Sequence, residues 1–422
     1  MSRVIRVIVV NADESATAEL RSHLLSIDGV KIVAEIDEPA LLARAADQFP
    51  CEVVLVHLDP NPAAMMEAIA PLIEARKEHL AAVAMTEDRD AELVVRAMRA
   101  GMREFLWKPL SPEQLREVLQ RVGGESAGVG QRLGRLIAVV GTCGGVGATT
   151  LATNLAVELA QLKEWPGAAG GQRPVPRVAV VDLDFRFGHV AMFLDAQAGY
   201  SIADLCETPE RIEAQMIDRV MVKHPAGVHV LAQPNDLERA ERITAAQTAG
   251  ALGALQEYYD FVVTDGPSRL DPTARAVLDM TDVCLIVVQL VVPAVRNADR
   301  ILTELARKGY NMDRVRVVCN RFGRETGYLE PADVETTLGR QLSFTIPDDW
   351  KTSSTAVNVG TALLDWAPKS KLRAAYRQIA VALATGAPAT EGEEASSTGG
   401  TPVPPGEPPR RGLFSLFAGQ KP

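Results

Sequence analysis

The sequence predicts an α/β protein with two doubly wound parallel-sheet domains and a disordered C-terminal tail. Short apolar runs alternate with helical patterns in two successive series, which is typical of βαβ units with helices on both faces of a sheet. A glycine-rich stretch separates the two series, and the composition changes abruptly after Thr385. With 422 residues and 47% hydrophobic content, the chain is long enough to bury two cores.

The first series occupies residues 1–122. Its expected strands include the runs VIRVIVV, KIVAEI, EVVLVHL and AAVAMT. The N-terminal run passes directly into polar residues at Asn11 without a small-residue cleavage site, so we expect a first β-strand rather than a signal peptide.

The order of these elements resembles the receiver domains of response regulators, over almost all of residues 1–122. The resemblance implies an acidic pair that holds Mg²⁺, an aspartate that accepts phosphate, a Ser or Thr, and a Lys-Pro pair. The positions that match are Thr86 and Lys108-Pro109.

The phosphorylation chemistry of a receiver is missing from the sequence. The acidic pair falls on Asn11 and Ala12, with only Asp13 beside them, and the acceptor position falls on His57, two residues before Asp59. A hard cation needs carboxylate oxygens, and histidine cannot form an acyl phosphate. We therefore expect a pseudo-receiver that serves docking or dimerisation and is not phosphorylated on aspartate. The alternative is a loosely similar α/β domain unrelated to signalling.

Residues 123–134 are the predicted linker, and residues 135–385 form the second series. Its expected strands include RLIAVV, RVAVVDLDF, GVHVLAQP, DFVVTDGP, VCLIVVQL and RVRVVCNRF. The apolar run from Val283 to Val292 is shorter than the roughly 20 residues of a membrane-spanning helix, so it favours a buried strand.

The stretch GTCGGVGATT, which follows the first of these strands and opens a helix, is typical of a phosphate-binding loop. Its glycines allow backbone N–H groups to turn toward an anion, and the helix N-terminus adds its dipole. Thr149 is placed to ligate Mg²⁺, and Thr150 to contact a phosphate. The predicted nucleotide-binding residues of the loop are Gly144, Gly145, Val146, Gly147, Ala148, Thr149 and Thr150.

Polar residues end three further strands of this domain. Asp182 and Asp184 end the second strand, at the sheet edge where ligands bind in open α/β folds. We predict Asp182 as a magnesium ligand and Asp184 as the residue that orients a water for hydrolysis. Asp265 is expected to hold the waters of Mg²⁺, and Asn320 carries an amide suited to an adenine edge.

This set of motifs resembles the MinD and ParA family of deviant P-loop ATPases, over residues 135 to about 385. The stretches GYSIADLCETPERIEAQMIDRVM, IPDDW and VNVGTALLDWAPKSKL, together with the first domain, are similar to the CpaE or TadZ branch. The resemblance implies ATP and Mg²⁺ as cofactors, a homodimer favoured by ATP, assembly proteins of tight-adherence (Flp) pili as partners, and placement at a cell pole. It also assigns Pro347 of IPDDW to the nucleotide-binding set.

Two lysines that the family resemblance implies are absent from the loop, because Cys143 and Ala148 occupy their positions. A hydrogen bond to a charged group contributes about 1.5–3 kcal/mol, so the loss at Ala148 weakens ATP binding roughly 10- to 150-fold. A cation acting across the dimer contributes around 10³–10⁵ in rate, and nothing at Cys143 replaces it. We expect ATP binding with slow or absent hydrolysis.

Three alternatives to this expectation remain open at the level of sequence. One is an active MinD-like ATPase that cycles on the membrane, and another is a P-loop fold that binds no nucleotide. The third is a ParA-like DNA-partitioning ATPase, which a net charge of -10 and the absence of a basic arm disfavour. Nucleic acid is therefore an unlikely partner in this interpretation.

The tail is predicted at residues 386–422 and carries too few apolar side chains to form a core before its last thirteen residues, RRGLFSLFAGQKP. This segment, Arg410 to Pro422, would be amphipathic if helical, and we expect weak membrane contact or docking on a protein partner. Five scattered cysteines favour reduced thiols. The expected location is cytoplasmic, at a pole or at the inner face of the membrane.

Overall fold

The computed structural model describes ten segments of the chain. They are residues 5–11, 13–27, 29–49, 51–76, 80–126, 133–165, 175–207, 212–267, 270–323 and 329–386. The tail from residue 387, with its amphipathic segment, lies outside the described residues. No helix in the described segments has the length and apolar character needed to cross a membrane.

The first domain is a five-stranded parallel sheet in the order β2-β1-β3-β4-β5, with helices on both faces. Its elements are β1 (Ile5–Val10), α1 (Glu14–Ser26), β2 (Val30–Ile36), α2 (Leu42–Gln48), β3 (Val53–His57), α3 (Pro62–Arg76), β4 (Ala81–Thr86), α4 (Ala91–Arg99), β5 (Met102–Trp107) and α5 (Pro112–Ser126). This is the doubly wound order of flavodoxin-like folds.

The second domain is an eight-stranded sheet in the order β13-β12-β11-β6-β10-β7-β9-β8, parallel except for β8. Its strands are β6 (Arg135–Gly141), β7 (Val178–Asp182), β8 (Val222–Lys223), β9 (Val228–Leu231), β10 (Phe261–Asp265), β11 (Val283–Val288), β12 (Val315–Phe322) and β13 (Leu342–Pro347). The predicted fold class, two doubly wound parallel-sheet domains, is confirmed.

Twelve helices accompany this sheet in the described segments. They are α6 (Ala148–Ala160), α7 (Val190–Phe193), α8 (Ile202–Cys206), α9 (Ala214–Val220), α10 (Leu237–Arg242), α11 (Ala245–Tyr258), α12 (Pro272–Met280), α13 (Val292–Arg307), α14 (Pro331–Leu338), α15 (Trp350–Val359), α16 (Leu363–Trp366) and α17 (Lys371–Thr385). The strands β6, β7, β10 and β11 are buried along nearly their whole length, because helices cover both faces.

The predicted linker, residues 123–134, overlaps the last residues of α5. Helix α5 continues through Gly123 and Gly124 to Ser126, so residues 123–126 are helical. A side chain at Gly123 would meet Ile5, with its Cβ 3.0 Å from a side-chain carbon, and this close packing explains the glycine within a helix. Glycine lowers helix propensity, but tertiary contacts override that preference here.

The polar edge of the first sheet is closed by its own side chains. Both ring nitrogens of His57 face acceptors, with Nδ1 2.6 Å from Asn11 Oδ1 and Nε2 3.1 Å from Asp59 Oδ2. Thr86 donates its hydroxyl proton to Asp59 at 2.7 Å. These contacts tie the ends of β1, β3 and β4 together with one carboxylate, where a magnesium site would need several.

The two domains contact each other near the amino ends of the strands of the large sheet. The edge strand β2 packs on α12, and α2 packs on α11. Lys31 on β2 is buried, and its ammonium lies 2.9 Å from Asp282, which also accepts a hydrogen bond from Leu136 N at the start of β6. Gly309 approaches α1 so closely that a Cβ would lie 2.7 Å from the Ser22 backbone.

Two further ion pairs cross the same interface. Arg21 pairs with Asp279, and Arg6 lies 2.9 Å from Glu257. Buried charges are stable only when paired, so these contacts fix how the two domains sit against each other. The opposite, carboxyl edge of the large sheet stays clear of these contacts.

Candidate nucleotide-binding site

A cavity of about 700 Å³ opens at the carboxyl ends of β6, β10, β12 and β13. Its wall includes the glycine-rich loop between β6 and α6 and the residues at and after the ends of β12 and β13. Ligands of open α/β sheets bind at this edge. The predicted loop residues, Gly144 to Thr150, all line the cavity together with Asp184, Asp265, Asn320 and Pro347.

Gly147 ends the loop and directly precedes α6. It is the N-cap residue of that helix and has a φ of 97°, in the left-handed region that glycine adopts without strain. A Cβ on Gly147 would lie 2.2 Å from Asn320 Nδ2, so a side chain is also sterically excluded. The helix therefore starts at Ala148 with its first N–H groups directed at the loop.

Carboxamide side chains from neighbouring strands hold the carbonyl groups of the loop. Gln289, just after β11, donates to Gly145 O and Val146 O at 3.1 and 3.2 Å. Asn320 on β12 donates to Val146 O at 2.8 Å, and Asn297 on α13 donates to Thr142 O at 2.8 Å. Because the carbonyls are engaged by these amides, the loop N–H groups remain the polar groups available to an anion.

Sequence reasoning missed Gln289 and Asn297. Both lie far from the loop in the chain, and each is an ordinary polar residue within or next to an apolar run. For Gln289, the available signal was a carboxamide directly after a buried strand, because that position faces the carboxyl edge where the loop lies. Asn297 lies within α13 and gave no such signal.

Asp265 and Thr149 form the part of the cavity best suited to a cation. Asp265 ends β10, is 5% exposed, and accepts a hydrogen bond from the Thr149 side chain. Burial raises the pKa of Asp265 to about 6, although the Thr149 bond acts in the opposite direction. A buried carboxylate beside a hydroxyl offers the oxygen ligands that Mg²⁺ prefers, directly or through water.

The structure places Asp182 differently from its predicted role as a magnesium ligand. Its side chain is fully buried, and its two oxygens accept hydrogen bonds from Val190 N at 3.0 Å and Asp184 N at 3.1 Å. Burial raises the pKa of Asp182 to about 8, and the charge of Asp265 adds to that effect. Asp182 does not line the cavity; it shapes the turn that presents Asp184.

Asp184, the predicted water-orienting residue, lies beside the cavity. It is half-buried, lines the cavity, and accepts a backbone hydrogen bond from Phe187 N at 3.1 Å. It follows Asp182 by two residues, at the start of the turn that leaves the sheet. A carboxylate here is able to contact a water or a metal-bound water in the cavity.

Asn320, predicted to read an adenine edge, lines the cavity and also positions the loop. Its Nδ2 donates to Val146 O at 2.8 Å, and its Oδ1 accepts from Arg321 N at 2.9 Å. Each end of the amide keeps a second hydrogen-bonding position, so the contact with adenine stays a prediction. Pro347 lies at the end of β13 and lines the cavity as expected.

The charge of the cavity wall is strongly unbalanced. Its carboxylates are Asp184, Asp265, Asp348 and Asp349. Among the described residues of this wall, Arg321 is the cationic side chain, and its guanidinium lies over the ring of Trp350. A polyphosphate at the loop therefore requires a divalent cation to offset the repulsion of these carboxylates.

Residues 134–311 match the family model described as an AAA domain. The septum site-determining protein MinD of Thermotoga maritima is 23% identical over 222 residues, which cover 51% of this chain and 76% of that protein. An uncharacterized ATP-binding protein of Methanocaldococcus jannaschii is 24% identical over 249 residues, covering 59% and 88% of the two chains.

Solved structures show the same fold. A ParA family ATPase from Chlorobium tepidum superposes with a TM-score of 0.54 at 22% identity, covering 60% of this chain and 99% of that one. The second domain is therefore similar in sequence to MinD proteins and similar in fold to a ParA family ATPase. MinD of Pyrococcus horikoshii, solved with Mg-ADP, superposes with a TM-score of 0.50 at 19% identity and covers 60% of this chain and 96% of that one.

The buried carboxylate of Asp265 predicts a pH dependence of nucleotide binding. Asp265 has a pKa raised to about 6, so below that pH Mg²⁺ must displace a proton from it. We expect Mg-ATP affinity to fall by up to about tenfold for each pH unit below pH 6 and to be level above it. Titration calorimetry from about pH 5 to pH 8 measures this dependence.

The control for the pH dependence is Asp265→Asn, which has no proton to displace. It should bind Mg-ATP more weakly at pH 7 and show only the pH dependence that the nucleotide itself contributes. If the Mg-ATP affinities of the wild type and of this variant change equally with pH below pH 6, Asp265 is not part of the magnesium site.

Proposed function

We propose that this chain is an ATP-binding, dimerising localisation and assembly factor for tight-adherence (Flp) pilus machinery, with slow or absent hydrolysis. The observation that carries the nucleotide part is the loop itself. Its carbonyls are tethered by Gln289 and Asn320, and its residues line a cavity together with Thr149 and Asp265. The Mg-ADP complex of Pyrococcus horikoshii MinD supports the choice of ligand.

Slow hydrolysis is expected because the loop supplies no cation to the cavity. The two loop positions at which the family resemblance implies lysine are Cys143 and Ala148, and both line the cavity without charge. Transition-state charge on a transferring phosphoryl group needs a positioned cation, whose contribution reaches around 10³–10⁵ in rate. Asp265 and Thr149 would hold Mg²⁺, and the ion would offset part of the ground-state charge, which favours binding over turnover.

Dimerisation is supported by the position of the first domain. Its ion pairs with the large sheet lie at the amino ends of the strands, around Asp282 and Leu136. The nucleotide cavity lies at the opposite edge, which those contacts leave open to a second copy. The pilus role rests on the resemblance of GYSIADL and IPDDW, and of the pseudo-receiver, to the CpaE or TadZ branch.

The second candidate function is an active ATPase that cycles on a membrane, and Asp184 is the observation that favours it. This carboxylate lines the cavity, where it is able to orient a water. Phosphate release distinguishes the two functions, because the assembly factor releases almost none and the cycling enzyme releases phosphate with every round of attachment.

The test of the proposed function is calorimetric titration with Mg-ATP of the wild type and of Ala148→Lys. We expect the wild type to bind with near-millimolar affinity and the variant to bind roughly 10- to 150-fold more tightly, since the added ammonium reaches the phosphates. Sedimentation of both proteins with and without Mg-ATP reports the dimer. No binding by the wild type, even at millimolar nucleotide, would contradict the proposal.

A further inference from the structure

Three carboxylates of the cavity wall lack a counter-charge. Asp184 and Asp349 are half-buried, Asp348 is exposed, and all three line the cavity. No basic side chain of the described segments forms an ion pair with any of them, and the guanidinium of Arg321 lies over the ring of Trp350 instead. Carboxylates that share one site repel one another and attract a cationic group. Asp184, Asp348 and Asp349 are called the acidic rim below.

Large apolar side chains are exposed beside the acidic rim. Trp350 directly follows Asp349, lines the cavity and is 62% exposed. Met192 and Val359, which are 56% and 54% exposed, adjoin the wall residues Phe193 and Asn358, and their helices α7 and α15 pack against each other. Apolar side chains that are exposed together mark a surface on which another segment binds.

The tail segment, Arg410 to Pro422, carries the complementary groups. Its sequence RRGLFSLFAGQKP begins with two arginines, which are followed by the apolar side chains Leu413, Phe414, Leu416 and Phe417. The acidic rim has the same order with the opposite charge, since Asp348 and Asp349 are followed by Trp350. Arginine forms paired hydrogen bonds with carboxylates, so the tail segment offers the cations that the cavity wall lacks.

The chain before the tail segment is long enough to reach the acidic rim. Helix α17 begins beside the cavity, where Leu372 lines the wall, and ends at the opposite edge of the sheet, where Leu383 O accepts a hydrogen bond from Arg135 at the start of β6. The helix is 15 residues long, or about 22 Å. Residues 387–409 can span up to about 75 Å, so Arg410 can return to the cavity.

We propose that the tail segment docks on the acidic rim of its own chain when no nucleotide is bound. Its arginines pair with the carboxylates, and its apolar side chains cover Trp350. Docking and Mg-ATP exclude each other, because both occupy the same cavity of about 700 Å³. The docking itself does not depend on the proposed function; only the competition with nucleotide rests on it.

The first experiment measures docking without nucleotide. The probe is a labelled synthetic peptide, RRGLFSLFAGQKP, and the receptor is the full chain with Arg410→Glu and Arg411→Glu, called the charge-reversed chain, whose own segment leaves the site open. Fluorescence anisotropy should show binding, and the peptide EEGLFSLFAGQKP should bind at least about tenfold more weakly. Adding Asp348→Lys should weaken binding of the first peptide at least about fivefold. Glu238→Lys, the same charge change at an exposed residue outside the cavity wall, is the control and should have no effect.

The second experiment measures the competition by calorimetric titration with Mg-ATP. The charge-reversed chain should bind Mg-ATP about tenfold more tightly than the wild type. At an effective concentration of about 1 mM and a peptide dissociation constant of about 100 µM, the tail segment is docked about ten to one, and the docked chains exclude nucleotide. Arg242→Glu with Arg307→Glu makes the same change in total charge at exposed residues outside the cavity wall and should leave the affinity unchanged.

Each result has a distinct meaning. If the peptide binds vesicles of phosphatidylglycerol and phosphatidylethanolamine but not the charge-reversed chain, the tail segment is a membrane anchor and the docking is wrong. If both peptides bind equally well, or Asp348→Lys changes nothing in a variant whose circular dichroism is unaltered, the acidic rim is not the docking surface. If the charge-reversed chain binds Mg-ATP no more tightly than the wild type, the competition is wrong. If the peptide docks but neither chain binds Mg-ATP, the proposed function fails and the docking stands.

Discussion

Asp282→Asn will lower the free energy of unfolding by about 3–5 kcal/mol, the cost of removing one partner of a buried ion pair. The variant leaves the ammonium of Lys31 without a counter-charge, and that side chain is only 1% exposed. Burial already lowers the pKa of Lys31, and Asp282 is the charge that opposes this shift. Asparagine still offers an oxygen to Leu136 N, so the expected loss comes from the charge.

Urea denaturation of the full chain measures this loss. The matched control is Asp218→Asn, because Asp218 and Lys223 form an exposed pair with a distance of 2.8 Å, and exposed pairs contribute about 0–1 kcal/mol. Adding Lys31→Met to Asp282→Asn should restore most of the stability, since no buried cation then remains. If Asp282→Asn alone is as stable as Asp218→Asn, the Lys31–Asp282 pair does not hold the two domains together.

Gly147→Ala will abolish or strongly weaken nucleotide binding, with a loss of Mg-ATP affinity of more than about tenfold. Left-handed backbone costs a residue with a Cβ about 1–2 kcal/mol. In addition, the new carbon would lie 2.2 Å from Asn320 Nδ2 and displace the amide that holds Val146 O. Losing that tether adds about 1 kcal/mol or more.

Calorimetric titration with Mg-ATP tests this substitution, and Gly199→Ala is its control. A Cβ at Gly199 meets no atom within 4 Å, and Gly199 is not among the glycines with a positive φ, so that variant should bind as the wild type does. If Gly147→Ala binds Mg-ATP as tightly as the wild type, the loop conformation described here is not the one that binds the nucleotide.

The fold could be predicted from sequence because its signal is local. Buried parallel strands appear as continuous apolar runs, as in β6 and β11, and each is followed by a helical pattern. The edge strand β13 has no such run, since most of its side chains are only partly buried, and it was found only as the motif IPDDW. The helical end of α5 depends on packing against Ile5, which no local pattern records.

The site could be predicted only in part, for a related physical reason. The glycine-rich loop is one continuous stretch, and its residues all line the cavity. Asp182 and Asp184 were both predicted to face the ligand, but the turn after β7 buries the first and presents the second. The tether from Gln289 and the left-handed backbone of Arg321 arise from contacts between elements far apart in the chain.

The most direct test of the account is to measure ATP binding and hydrolysis together at equilibrium, because a near-millimolar complex dissociates too quickly to be separated from free nucleotide. The wild-type chain is held with Mg-ATP at millimolar concentration for an hour in equilibrium dialysis, and the nucleotide on both sides of the membrane is identified by chromatography. The lysine-free loop predicts an excess of intact ATP on the protein side that EDTA abolishes, with ADP no higher than in a protein-free sample. ADP and phosphate above that sample would identify a working ATPase, and no excess nucleotide on the protein side would contradict the binding site itself.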